Sequence, residues 1–85
     1  RFKVGLGVIP DYLFDGKGMR IDGVSEGRPA ERGGLLKGDI VIQLGDSLVT
    51  NMMSYMRALS IFDEGDKTTV VVQRGKQQVS SSIEF

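Results

Sequence analysis

Gly5 and Gly7, one residue apart and followed by Val8-Ile9, are the residues of this chain best placed to do chemistry. Glycine takes backbone angles that other residues avoid, so successive N–H groups in Val4-Gly5-Leu6-Gly7 can converge on one point. Such a nest binds an anion, and the terminal carboxylate of a peptide is a natural one. The apolar residues after it read as a strand. At a sheet edge that strand can accept another from outside. The pattern points to binding rather than catalysis.

Composition supports that direction. The 85 residues contain no His and no Cys, which removes the Ser-His and Cys-His nucleophile systems and the usual zinc ligands. Ser80, Ser81 and Ser82 could form a Ser–Lys pair on composition alone, but they fall on a strand, a poor place for a buried nucleophile. Gly27 to Gly34 lacks the Gly-Lys-Ser/Thr ending of a phosphate loop. The acidic run Asp63-Glu64-Gly65-Asp66 lacks the alternating ligand spacing of a calcium loop and reads as a solvated turn. No metal and no cofactor are expected. Eleven basic residues balance eleven acidic ones, whereas phosphate binding needs a positive excess, so nucleic acid is not the expected partner.

The elements that must position the glycine loop fit one small domain. Hydrophobic residues are 40%, enough for one core, and no apolar run is long enough to span a membrane. The chain opens on Arg1 without an initiator Met, so we expect a single domain, 1–85, excised from a longer protein. Phe2 to Ile9 reads as the first strand and Pro10 to Gly18 as a loop, with an extended piece at Tyr12–Phe14. Met19 to Val24 alternates like a half-buried strand. Pro29 suits the first position of a short helix, and Gly33-Gly34 suits its end, after which Leu35 and Leu36 return to the core.

Ile40 to Leu44 is almost continuously apolar, as expected of a central strand covered on both faces. Leu48-Val49 is a short strand. Thr50 is the expected N-cap of a long helix carrying Met52, Tyr55, Met56, Leu59 and Phe62 at helical spacing. Thr68 to Arg74 and Gln77 to Phe85 flank Gly75-Lys76 as a hairpin. The expected class is α+β, mainly β: a small antiparallel sheet or partly closed barrel capped by one short and one long helix.

The run Val24-Ser25-Glu26-Gly27-Arg28-Pro29-Ala30-Glu31-Arg32-Gly33-Gly34-Leu35-Leu36-Lys37-Gly38-Asp39-Ile40-Val41 closely resembles the V-x-x-x-S/G-P-A-x-x-A-G-L-x-x-G-D-x-I segment of PDZ domains. Gly5-Leu6-Gly7-Val8 is close to that family's Gly-Leu-Gly-Phe loop, and the resemblance covers essentially the whole chain. The Gly38-Asp39 segment is similar to that of bacterial protease-linked PDZ domains, found in high-temperature-requirement, tail-specific and site-two proteases. The stretches Pro10-Asp11-Tyr12 and Ser54-Tyr55-Met56-Arg57-Ala58-Leu59 are similar to the C-terminal PDZ domains of bacterial zinc aminopeptidases.

The resemblance implies a peptide-binding module. Backbone N–H groups of Leu6, Gly7 and Val8 would hold a terminal carboxylate, and Gly5, Ile9, Pro10, Met52, Met56 and Leu59 would form the groove. Leu6, Val8, Met56 and Leu59 would receive the ligand's last side chain. Without histidine there is no partner for a ligand Ser or Thr hydroxyl, so apolar peptide or protein C-termini are the expected partners. Arg1 and Lys3 would add positive potential beside the loop.

Pro10 departs from the pattern, because its missing N–H removes one bond to an added strand and implies weak binding by the ligand's final residues. Proline at that point also protects an exposed edge, and the helix methionines Met52, Met53 and Met56, taken alone, read as core rather than pocket. The alternative function is therefore a structural, dimerising or intramolecular regulatory domain whose groove stays unoccupied or is filled by its own parent chain. Resemblance to protease-associated modules implies a periplasmic or cell-envelope setting, a parent protease or peptidase that could itself be a partner, and no membrane insertion by this domain.

Overall fold

The computed structural model describes residues 4–85. The contribution expected of Arg1 and Lys3, and the start of the first strand at Phe2, lie outside the described residues. The chain runs β1 (Val8–Pro10), β2 (Met19–Val24), α1 (Pro29–Arg32), β3 (Ile40–Leu44), β4 (Ser47–Leu48), α2 (Met52–Leu59), β5 (Lys67–Arg74) and β6 (Gln77–Glu84). The strands form one antiparallel sheet in the order β1-β2-β3-β5-β6, with β4 beside β3. The fold class is as the sequence implied.

β3 is central because its two edges are both used. Ile40 and Val41 pair with β2, Gln43 and Leu44 pair with β4, and the other edge pairs with β5. Only one face is fully covered, by Val41 and Leu44; Ile40 and Ile42 on the other are half-buried beside Gly18. The core joins these residues to Met19, Ile21, Val70, Val72 and Ile83 from the sheet, to Leu6 and Leu35 from the loops and to Tyr55, Ala58 and Leu59 from α2.

Pro29 opens α1, and the Gly33 and Gly34 N–H groups close it onto the Pro29 and Glu31 carbonyls at 2.9 and 3.0 Å. Gly34 sits at φ 82°, which glycine reaches without strain. Arg32 ties this helix to β6 by donating to the Glu84 carbonyl at 2.8 Å. Leu35 is buried, but Leu36 is 53% exposed, because the chain turns there and the Leu36 N–H is drawn to Asp39.

The helix cap is Asn51, not Thr50. The Asn51 side chain accepts from the Ser54 N–H at 2.8 Å, and the Ser54 hydroxyl accepts from the Asn51 N–H at 3.1 Å, a reciprocal capping box. α2 stops at Leu59; Phe62, past the end, packs its ring 5.2 Å from that of Phe85. The short strand is Ser47–Leu48, while Val49 is buried and donates to the Ile42 carbonyl. Tyr12–Phe14 is a turn, not an extended piece, since Asp11 accepts both the Leu13 N–H on its side chain and the Phe14 N–H on its carbonyl.

Candidate functional site

Among the described residues the first strand begins at Val8, because residues 4–7 form a loop with its own bonding pattern. Gly5, Leu6 and Gly7 all turn their carbonyls to one side: Gly5 O accepts from the Arg28 guanidinium at 3.4 Å, Leu6 O from the Ala30 N–H at 2.8 Å and Gly7 O from the Ser25 N–H at 2.8 Å. In a trans peptide the next N–H points opposite to the carbonyl. The amides of Leu6, Gly7 and Val8 therefore all point to the other side. A regular strand would alternate them; Gly7 at φ 78° makes the convergence possible. Among the described residues, no backbone or side-chain acceptor is bonded to the Leu6 or Gly7 N–H.

β1 lies at the edge of the sheet, so one side of it is open. Val8 is opposite Val24 and Ile9 opposite Gly23. Because Gly7 O bonds Ser25, the alternation of an antiparallel ladder directs Ile9 inward to β2 and Val8 outward. The next outward amide position is Pro10, which has no N–H. A register shift between Ile9 and Pro10 then bends the chain into the Asp11 turn.

The open side of β1 faces α2 across an apolar cleft of about 380 Å³. Val4, Gly5, Leu6, Gly7, Val8 and Pro10 line one wall, and Met52, Tyr55, Met56 and Leu59 line the other, with Tyr12 beside Pro10. Leu6 and Leu59 are buried and form the floor, whereas Met56 is 41% exposed and movable. The spacing of Met52, Tyr55, Met56 and Leu59 keeps them on one face of the helix. Met53, on the other face, is 68% exposed and belongs to neither cleft nor core.

The structure thus brings Gly5, Leu6, Gly7, Val8, Pro10, Met52, Met56 and Leu59 around one cleft. Ile9 is not part of it: its side chain is 58% exposed and lies on Gly23, because alternate strand residues face opposite sides.

Sequence reasoning missed Tyr12, Tyr55 and Arg28. Tyr12 is 75% exposed, in a turn whose flanking residues are tied together. Arg20 donates twice to the Asp11 carboxylate, at 2.9 and 2.6 Å, and lies 4.7 Å over the Phe14 ring. The Arg20 bonds, then the Leu13 N–H, hold the Asp11 carboxyl below its ordinary value. Burial, then nearby Tyr12, raises the Tyr55 phenol well above its ordinary value, so it stays neutral. Arg28 had a sequence signal. It occupies a helix N-cap, where Ser, Thr, Asp or Asn is preferred, and its side chain makes no cap bond.

Two larger clefts lie elsewhere. One of about 630 Å³ runs between α1 and the β5–β6 hairpin, but Arg32 there is already engaged by the Gly27 and Glu84 carbonyls. A second, of about 490 Å³, lies on the carbonyl side of the loop, against Arg28. Neither is faced by the Leu6, Gly7 and Val8 amides. Among the described residues, no group of three or more acidic, His or Cys side chains is arranged to hold a metal.

Comparison with curated protein sequences gives no match. Solved structures do match. The chain is similar to the HtrA-type protease AlgW solved with a decapeptide, at 27% identity and a TM-score of 0.86, over 98% of this chain and 29% of that one. It shares its fold with an aminopeptidase N family protein from Idiomarina loihiensis, at 23% identity and a TM-score of 0.85, over 98% of this chain and 14% of that one. The same holds for the HtrA3 PDZ domain bound to a phage-derived ligand, at 18% identity and a TM-score of 0.77, over 99% of this chain and 86% of that one. The chain spans less than a third of the AlgW chain it matches. The model of the PDZ domain family matches residues 4–85, the whole of the sheet, both helices and the glycine loop, and this chain belongs to that family.

Proposed function

We propose that this domain captures the C-terminal end of a peptide or protein. The observation that carries the reading is the outward turn of the Leu6, Gly7 and Val8 amides, beside an apolar cleft, at the open edge of β1. A terminal carboxylate seated there receives charge-assisted bonds, each contributing about 1.5–3 kcal/mol. The last side chain of the ligand enters between Leu6, Val8, Met56 and Leu59, where burying a Val or Leu contributes about 1.5–3 kcal/mol. Val8 then begins an added strand, which ends at Pro10 for want of an N–H.

The domain acts as a binding module with no catalytic group of its own and no cofactor. It serves an attached protease or peptidase of the bacterial cell envelope, a reading supported by its similarity to the peptide-bound AlgW protease.

Calorimetric titration with acetyl-Ala-Ala-Ala-Val-Val, as free acid and as amide, tests the reading. The free acid should bind at least tenfold more tightly. Equal binding of the two would remove the carboxylate mechanism. Pro10 favours a second reading, in which the edge is protected and the groove is filled by the parent chain or a second copy. Sedimentation showing a dimer, with no binding of either peptide, would select it.

A further inference from the structure

We infer that Arg28 is the electrostatic and mechanical support of the carboxylate loop, a positioning residue that sets how strongly this domain prefers a free chain end. The inference rests on the proposed peptide reading and names a residue that reading does not need.

The geometry is specific. A Cβ added to Gly7 would fall 2.1 Å from Arg28 Cβ and 2.7 Å from its Cγ, so the arginine stem lies directly against the glycine whose φ of 78° makes the loop. The stem continues along the loop: Nε is 3.5 Å from the same point, and a terminal nitrogen is 3.8 Å from a Cβ added to Gly5. That nitrogen also donates to the Gly5 carbonyl at 3.4 Å, a long bond, so packing and charge outweigh it. The bonded carbonyl belongs to the Gly5–Leu6 peptide group, whose N–H is the first of the outward amides. A cation on the oxygen polarises that group and strengthens its donor.

Charge adds to this. Among the described residues, no carboxylate is paired with Arg28, whereas Arg20 and Arg74 are each paired with an aspartate. The guanidinium is exposed, in the cleft behind the loop with Arg32 and Glu64. A cation without an ion-paired carboxylate among the described residues, one backbone thickness from the amides, favours an anion on their far side, and salt screens it. Helix capping does not explain the residue, since the side chain makes no cap bond and arginine is a poor residue for that position.

The test uses acetyl-Ala-Ala-Ala-Val-Val as free acid and amide, at low and at high salt, against the wild type, Arg28→Ala, Arg28→Gln and Arg28→Lys. Arg28→Ala and Arg28→Gln should each lower the acid-to-amide affinity ratio about three- to tenfold and flatten its salt dependence. Arg28→Lys, which keeps a stem and a charge, should restore most of both. Ratios and salt slopes unchanged in Arg28→Gln would overturn the inference, as would equal loss of acid and amide binding in all three variants. If Arg28→Ala fails to fold, the Gln and Lys variants decide alone. Failure of the peptide reading shows separately, as equal acid and amide binding by the wild type.

Discussion

The turn at Leu36–Asp39 and the loop at Gly5–Val8 share two parts, backbone N–H groups turned to one side and a guanidinium close by. In the turn the chain supplies its own carboxylate. Asp39, 1% exposed, accepts from the Leu36 N–H at 2.9 Å and from Arg74 by both Nε and a terminal nitrogen at 2.8 Å. In the loop the amides of Leu6, Gly7 and Val8 face outward, and the nearest described cation, Arg28, lies behind the backbone instead of in front of it. The difference lies in placement. An arginine in front of the amides competes for the anion and closes the arrangement; one behind them leaves the anion's seat accessible. The first arrangement holds the fold, and the second is available for binding.

The largest effect should separate the two. Asp39→Ala removes a buried carboxylate from three donors and leaves the Leu36 N–H and Arg74 without it, so stability should fall by about 3 kcal/mol. The acid-to-amide binding ratio of the folded fraction should not change. Urea melts and titrations check this, and a changed ratio would mean that the two regions are coupled.

Acidity sharpens the same point. Burial pushes the Asp39 carboxyl up, but the Arg74 bonds and the Leu36 N–H outweigh it and hold it below its ordinary value of 3.8. Its contribution is therefore full well above that ordinary value and is lost as pH falls toward and through the lowered one. Urea melts at pH 7 and pH 3 should show the gap between the wild type and Asp39→Ala narrowing in acid.

Next in size is the loop itself. Gly7→Ala would place a methyl group at φ 78°, against Arg28 Cβ. The backbone term alone costs about 1–2 kcal/mol, and the collision forces the loop or the arginine to move. Free-acid peptides should lose at least tenfold in affinity, and the melting temperature should fall by about 4–8 °C for each kcal/mol lost in a domain of this size. Retained affinity would show that the amides need not converge. Smaller still is Met56→Ala. Met56 is 41% exposed, so stability should hardly change, while removing part of the pocket wall should weaken Val-ended peptides by about 1 kcal/mol.

Much of this was legible in the sequence because it depends on local rules. Pro29 and Gly33-Gly34 bracket α1, the apolar run Ile40–Leu44 is the central strand, and Gly75-Lys76 turns the final hairpin. The loop residues were legible too, through the spacing of their glycines. What was hidden depends on partners far along the chain. Arg74 meets Asp39 across 35 positions and Arg28 meets Gly5 across 23, and no periodicity announces either. The stretch Val4 to Gly7 was misread as strand because apolar residues look alike in a strand and in a loop; only the three same-sided carbonyls distinguish them. The cap at Asn51 instead of Thr50 shows a closer limit, since both residue types can cap and the reciprocal bonds with Ser54 decide.

Pro10 gives an effect of similar size and the sharpest test of how far the open edge extends. Ile9 turns inward to Gly23, so the nitrogen of residue 10 points outward, toward an added strand. Pro10→Ala would supply an N–H there, worth about 0.5–1.5 kcal/mol, or roughly two- to tenfold in affinity. The gain should depend on ligand length. A free-acid pentapeptide presents its third-from-last carbonyl to the new donor, whereas a dipeptide ends opposite Ile9 and should gain little. Stability should fall slightly, since replacing proline frees the unfolded chain. Equal gains for both lengths would place the benefit in the loop, not in the ladder. Self-association of the variant without any gain would assign Pro10 to edge protection, because an uncapped strand edge pairs with whatever strand it meets, including that of a second copy.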